Sequence, residues 1–410
     1  MVYNISGARI DAGGGGAACY DTAADLCSAS DLNAGSIVQT AGFHTANDGG
    51  GALYYVRAKA SGDTDNGCSR FVIGDLVAEI LDDGRDINVL QYGMVPDGVT
   101  DNLAVFNKVK ALYPDRTLYF PAGVYAMAGK MVFELCHAVL DGAELLCTSS
   151  TVVDRFVEVR GKVTPPETPQ DGMFLRGPGG TINANFKAKA AFACARQKGF
   201  TLTGLHIKNF KETGITGNFN DSTLGTNLSY ELYVSNCLIS NVLSEADAVG
   251  ITDWYDSTYS DIIILNCKTA VSASGSSIFH NIHAWCYDFD NSANRLELMK
   301  DTLFARCKTG ARFSDCYCDT YAKGFEFVSG NTMAMITNFK WWINGETWPS
   351  GLTPVVFMAC ANVAGTNYKV VNAYIPSASG TKFSDSDLSN SLCTFVGVTS
   401  YAANSPTAKL

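Results

Sequence analysis

An all-β right-handed parallel β-helix, a solenoid of stacked strands, is the fold class this sequence predicts, and three observations predict it. The first is the segment 86–127, DINVLQYGMVPDGVTDNLAVFNKVKALYPDRTLYFPAGVYAM. In it a short apolar strand, an acidic glycine-containing turn, an amphipathic helix and a strand closed by Pro-Ala-Gly follow one another. The second is a recurring apolar strand that ends in asparagine and a bulky or sulfur side chain: 205–210 (LHIKNF), 232–237 (LYVSNC) and 262–267 (IIILNC). The third is composition. With 39 glycines in 410 residues and only 17% charged residues, the chain suits a turn-rich β protein better than a helical one.

Residues 1–85 are expected to form a small N-terminal β domain, a connector or attachment module. Gly13 to Gly16 reads as a flexible lead-in. Thr22-Ala23-Ala24-Asp25-Leu26 opens a structured stretch, and apolar runs around Asn47-Asp48-Gly49-Gly50-Gly51 follow strand-turn-strand logic. Residues 86–344 are expected to hold the coil. At its start, Asp97, Gly98 and Asp101 sit where turn and N-cap residues belong, and Phe106, Val109 and Leu112 fall near helical spacing. An N-terminal helix there would cap the first rung. Within the coil, asparagine suits the strand ends because it tolerates left-handed backbone and bonds to its neighbours along the stack. The spacing between equivalent strands is uneven, as expected where loops are inserted on one face. Residues 345–410, which carry Pro349, Pro354 and Pro376, are expected to form a small C-terminal β-rich cap or trimerisation element over the last rung's open edge.

The segment 86–127 closely resembles the pattern NVLDFGAKGDGVTDDTAAF…YFPAGTY, which opens the pectate-lyase-like β-helix of phage tailspikes and polysaccharide-degrading enzymes. Asn88-Val89, Gly93, Asp97-Gly98-Val99-Thr100-Asp101, Phe106 and Phe120-Pro121-Ala122-Gly123 with Tyr125 carry the match. The glycine cluster at 49–51 is similar to the small domain that precedes such coils. The resemblance implies a phage or prophage tail protein, homotrimeric, that binds and cleaves a bacterial surface polysaccharide as a glycoside hydrolase or lyase. It implies virion tail or baseplate proteins as further partners, and a location in the virion after synthesis in the host cytoplasm. Two alternatives stay open: a non-catalytic receptor-binding or structural tail protein, and a pectin-type polysaccharide-degrading enzyme.

Glycosidic cleavage needs two carboxyl groups flanking the scissile bond, ~5 Å apart for retention and ~6.5–9.5 Å for inversion. Lyase chemistry needs a base near the sugar C5 proton and a group that neutralises the uronate. The densest candidate is 244–256 (SEADAVGITDWYD), followed by Asp261. Asp247, Asp253 and Asp256 are the expected acid and base, with Trp254, Tyr255 and Asp261 as substrate-binding neighbours; the alternative is that the acids cap turns. The run is similar to the NTDGIDI…NVTIxNC segment of polygalacturonases, with Asp247 near the first aspartate. It departs at Glu245-Ala246, and Cys267-Lys268-Thr269 stands where those enzymes carry paired aspartates, so their catalysis is not supported residue by residue.

A second candidate is 280–288 (HNIHAWCYD). At strand period His283, Trp285 and Tyr287 share one face, with Asp288 at its edge. Facing outward, they form a sugar-stacking strip; facing inward, they are core. A third, weaker candidate is Asp315, Asp319 and Glu326 around Tyr317 and Tyr321, with turn duty as the alternative role. Of the adjacent Trp341 and Trp342, one must face out.

The formal net charge of −10, with no basic run, argues against nucleic-acid partners. No stretch approaches the ~18 apolar residues of a membrane span, so no membrane insertion is expected. The opening Met1-Val2-Tyr3-Asn4 has no signal-peptide pattern. The 14 cysteines include no CxxC pair and the five histidines are scattered apart from His280 and His283, so no metal site and no cofactor is expected. Small apolar core residues in a reduced compartment are the expected role of the cysteines.

Overall fold

The computed structural model describes residues 2–3, 9–10, 17–134, 136–161, 170–217, 229, 231–245, 248–253, 255–286, 294–308, 310–328, 333–342, 348–359, 367–375, 382–384 and 394–400. The chain divides into two compact units, Met1–Ala128 with Cys136–Ala143, and Gly129–Leu135 with Glu144–Leu410.

In the first unit, five strands form one sheet in the order Ala18–Tyr20, Ile37–Thr40, Leu53–Ala58, Leu76–Ile80 and Arg70–Ile73. Alternation turns Val38, Tyr54, Val56 and Val77 inward. The short helix Ala23–Cys27 starts at Thr22, whose hydroxyl accepts the Asp25 N–H, and it buries Leu26. The Asn47-Asp48-Gly49-Gly50 turn is organised by one carboxylate: Asp48 accepts the backbone N–H of Phe43, His44, Thr45 and Gly50 at 2.8–3.0 Å. The first parallel rungs belong to this same unit. Thr117–Phe120 pairs in parallel with Ile87–Asn88 and with His137–Leu140, and Gly123–Met127 pairs with Asp97–Asp101. The boundary expected at residue 85 is therefore not where the compact unit ends.

The 86–127 segment holds the expected turn and helix, though the helix starts at Asn102 rather than at an acid. Asp97 accepts the N–H groups of Val99 and Thr100, closing the turn. The helix Leu103–Leu112 follows Asn102, and the Asp101 carboxylate accepts the Leu103 and Ala128 N–H groups. Gly93 ends a single 3-10 turn at φ 92°, with the Phe43 ring 2.6 Å from where a Cβ would stand, so only glycine fits. Phe106 and Val109 are buried, as expected, but Leu112 is 43% exposed. Its position in the last helical turn lies past the packed face.

The second unit is built from parallel strands in two sheets. One has ten strands in sequence order, from Met131–Glu134 through Thr269–Ala273 to Lys382–Ser384. The other stacks Phe174–Asn183, Thr201–Lys208, Tyr233–Ser235 with Leu238–Ser240, Thr258–Leu265, Ile278–Trp285, and so on to Thr399–Ser400. Parallel strands joined by crossovers wind right-handed, and the result is the right-handed parallel β-helix.

In this second sheet a left-handed residue recurs at the same place on successive rungs and bends the chain there. Register aligns Asn236, Asp261, Asn281, Asp315, Asn338 and Asn372, all at φ between 50° and 56°. That conformation costs ordinary residues 1–2 kcal/mol (about), and Asn or Asp offset it with a side-chain bond. The Asn281 amide donates to Asp261 at 2.7 Å, Asn338 to Asp315 at 2.9 Å, and Asn372 to Asn338 at 3.3 Å. Asn209 and Asn266 are also left-handed, so all three asparagine-ended strands read from the sequence hold. Inside, Tyr259, Phe279 and Phe313 stack rung on rung, with centroids 4.9 and 4.7 Å apart. Ten of the twelve described cysteines are buried thiols, as the core reading required, while Cys19 is exposed and Cys27 half-buried.

The separate C-terminal cap is not found among the described residues. Val355–Ala359 pairs in parallel with Lys323–Phe327, Asn367–Val371 with Met333–Thr337, and Thr394–Val396 with Asn367–Val371, so the coil runs on past residue 344. These strands extend the two sheets of the coil rung by rung. Gly13 to Gly16 lie outside the described residues.

Candidate functional site

The αL ladder also places a row of outward side chains. The residue two positions after each ladder residue faces out, which aligns Leu238, Ile263, His283, Tyr317, Lys340 and Tyr374 on successive rungs. Four positions after the ladder, Ser240, Leu265, Trp285, Asp319 and Trp342 form a second row. Rungs repeat about every 4.8 Å, so the two rows make a continuous strip along the second unit. Cys267 starts no equivalent of Cys307: register sets Ala273 opposite Cys307, and the repeated Cys-Lys-Thr is not a structural repeat.

The strip is aromatic over its later rungs. His283 stacks on Tyr317 with centroids 4.6 Å apart and planes 25° from parallel. The Lys340 ammonium lies 5.1 Å from the Tyr317 centroid and 5.7 Å from that of Trp342, within cation–π range. Trp342 is 41% and Tyr374 42% exposed. With Asn338, Asn372, Phe339 and Lys340 they line an open depression of about 510 Å³. The Tyr317 hydroxyl donates to Asp319 at 3.3 Å, and Thr320 donates to the same carboxylate at 2.6 Å. Partial burial and the neighbouring Asp319 push the Tyr317 phenol up to about 12, so it remains a neutral donor. Burial also lowers the His283 imidazole, against the pull of Asp319, and its Nε2 meets no hydrogen-bond partner among the described residues. His283 and Trp285 thus face outward, half-buried, on Ile278–Trp285, as the outward reading required. Tyr287 and Asp288 lie outside the described residues.

The acidic segment resolves differently. Asp247 and Trp254 lie outside the described residues, so the expected convergence of three aspartates is not seen. Asp253, expected as an acid or base facing substrate, is instead fully buried inside the coil. Ser277 donates its hydroxyl to Asp253 at 2.8 Å, and the Gly275 and Ser274 N–H groups approach the other oxygen at 3.2 and 3.4 Å. Burial outweighs these donors and pushes the carboxyl up to about 7. The fully buried Tyr259 phenol beside it is held well above its usual range by burial and by Asp253. This corrects the expectation for Asp253: the segment's apolar alternation continues through it, and its acidity masked an inward position. Tyr255 and Asp256 are exposed, and Asp256 is left-handed at φ 50°. Asp261 is an exposed ladder member whose carboxylate takes the Asn281 amide, so a structural bond already occupies it. In the third group, Tyr321 is buried and donates to the Cys267 carbonyl, while Glu326 pairs with Arg306 at 2.6 Å.

Sequence reasoning missed Lys340 and Tyr374, and offered Tyr317 and Asp319 only as a third, weaker candidate. The signal was present as an offset from each ladder Asn or Asp, and it becomes readable once the ladder is known. Trp341 is buried and Trp342 exposed, as the adjacent pair demanded. Among the described residues there is no cluster of metal-binding side chains, and no helix is long and apolar enough to cross a membrane.

No protein-family model matches the chain, and neither does any curated protein. Solved structures do share its fold. The enzymatically active domain of bacteriophage CBA120 tailspike protein 4 aligns with a TM-score of 0.52 at 12% identity over 94% of this chain and 53% of that one. The tailspike protein of Acinetobacter baumannii phage AM24 aligns at 0.51 and 11% over 90% and 63%. ORF18 of Geobacillus virus E2 aligns at 0.54 and 10% over 94% and 75%. The chain spans between about half and three quarters of these chains' lengths.

Proposed function

We propose that this chain is a tailspike-like protein that binds an extended bacterial surface polysaccharide along the outer strip of its coil. The observation that carries this reading is the stacked His283–Tyr317 pair continued by Lys340 and Trp342. Aromatic faces at the rung repeat offer successive platforms for the C–H faces of sugar rings, while Tyr317, Asp319 and Lys340 supply the polar contacts that orient them. The shared fold with structures described as tailspikes supports a virion tail setting; a homotrimer and tail-protein partners, implied by the resemblance of segment 86–127, belong to the same proposal.

Cleavage is the second reading, favoured by one observation. Of the three aspartates expected to carry it, Asp256 is exposed, and the exposed Glu231 stands on the neighbouring rung. Each lies two residues before the paired Tyr233 and Thr258, and each is left-handed. Adjacent rungs separate backbones by ~4.8 Å, close to the ~5 Å carboxyl spacing of retaining glycosidases. One experiment separates the readings: incubate the protein with purified capsular polysaccharides and measure both retention and new reducing ends. Retention without release supports binding alone. Release that E231Q and D256N each abolish, with retention intact, supports cleavage. No retention of any polysaccharide would sink both.

A further inference from the structure

Resting on the glycan-binding reading, we propose that the polysaccharide is acidic and that Arg312, Lys340 and Lys369 read its negative groups. Arg312 and Lys369 occupy one outward row of the second sheet, on either side of Met335 in register, and Lys340 lies in the aromatic row across the ladder. All three are exposed. No carboxylate among the described residues lies within ion-pair distance of any of them.

The contrast with the other sheet of the same rungs is the reason to weigh this. There Arg306 pairs with Glu326 at 2.6 Å and Lys323 with Asp301 at 3.2 Å. In a chain of net charge −10, acidic partners are plentiful, yet among the described residues these three cations have none. The acids on the Arg312 rung are engaged by other donors: Asp319 by Tyr317 and Thr320, and Asp315 by Asn338 and His280. Lys340 is held over two rings, which fixes the ammonium beside the surface where a sugar would stack. Carboxylate or phosphate groups on a bound glycan would complete these charges, and the guanidinium of Arg312 can take either in a two-pronged fashion.

The test uses purified capsular polysaccharides of known composition, acidic and neutral. The acidic ones are also tested after chemical reduction of their carboxyl groups, all against the full chain and a triple variant, R312Q/K340Q/K369Q. The expected result is binding to acidic members, weakened about tenfold or more by carboxyl reduction, by high salt or by the triple substitution, as three exposed ion pairs would imply. Unchanged thermal unfolding of the variant would show that the loss is not a folding defect. Equal binding of native and reduced polysaccharide, or a preference for neutral members, would overturn the acidic assignment and leave the glycan strip standing. Absence of binding to every member would overturn the strip itself, and this inference with it.

Discussion

The Ser277 hydroxyl donates to Asp253 across 2.8 Å inside the coil, joining two rungs through a carboxyl that solvent does not reach. Burial raises this carboxyl from 3.8 to about 7. The folded protein therefore keeps a proton that the unfolded chain releases between these values, so stability falls as pH rises from about 4 to about 7 and then levels off. The size of that loss is on the order of 4 kcal/mol. In D253N the amide oxygen can accept from Gly275 and Ser274 and the amine can donate to Ser277. This variant is expected to lose the pH dependence and to exceed the wild type in stability at pH 8. Urea unfolding of both proteins at pH 5 and pH 8 checks it; an unchanged pH slope in D253N would refute the inward acid's role.

The ladder makes a graded prediction at Asn281. Asn281→Ala forces a left-handed alanine and removes the bond to Asp261, and should cost about 1–3 kcal/mol. Asn281→Gly removes the same bond without the backbone strain and should cost clearly less. Midpoints of chemical unfolding measure the difference; equal losses would mean that the side-chain bond alone matters.

Two neighbouring tryptophans should separate folding from binding. Trp341→Ala empties a wholly buried site and should cost about 3–5 kcal/mol. Trp342→Ala changes an exposed ring and should leave the melting temperature nearly unchanged while weakening retention on the polysaccharide. Differential scanning calorimetry with a polysaccharide pull-down reads both effects, and lost stability in Trp342→Ala would contradict the assignment.

A buried carboxylate holds three cations together at the start of the second unit. Glu158, with no exposed side-chain surface, lies 2.8 Å from Arg155, 3.1 Å from Lys130 and 3.5 Å from Arg160. Glu158→Gln leaves those charges facing one another and should destabilise by about 3 kcal/mol or more. The loss should shrink at high salt, because Lys130 is partly exposed. Thermal unfolding at low and high ionic strength tests this.

The sequence alone determined the parallel coil, its opening turn and helix, and the asparagine bends. Each of these is local chemistry: a carboxylate closing a turn at Asp97, a glycine forced at Gly93, an amide tolerating positive φ at Asn209, Asn236 and Asn266. It also determined that one of Trp341 and Trp342 must face out, because strand alternation has a period of two. It did not determine which way Asp253 points, that the coil continues through Val355–Ala359, or that His283, Tyr317, Lys340 and Tyr374 form one row. Those facts depend on register between strands some 20 to 35 residues apart, set by loops of unequal length. Only the tertiary structure carries that register, and with it the difference between an acid inside the coil and a cation poised on its surface.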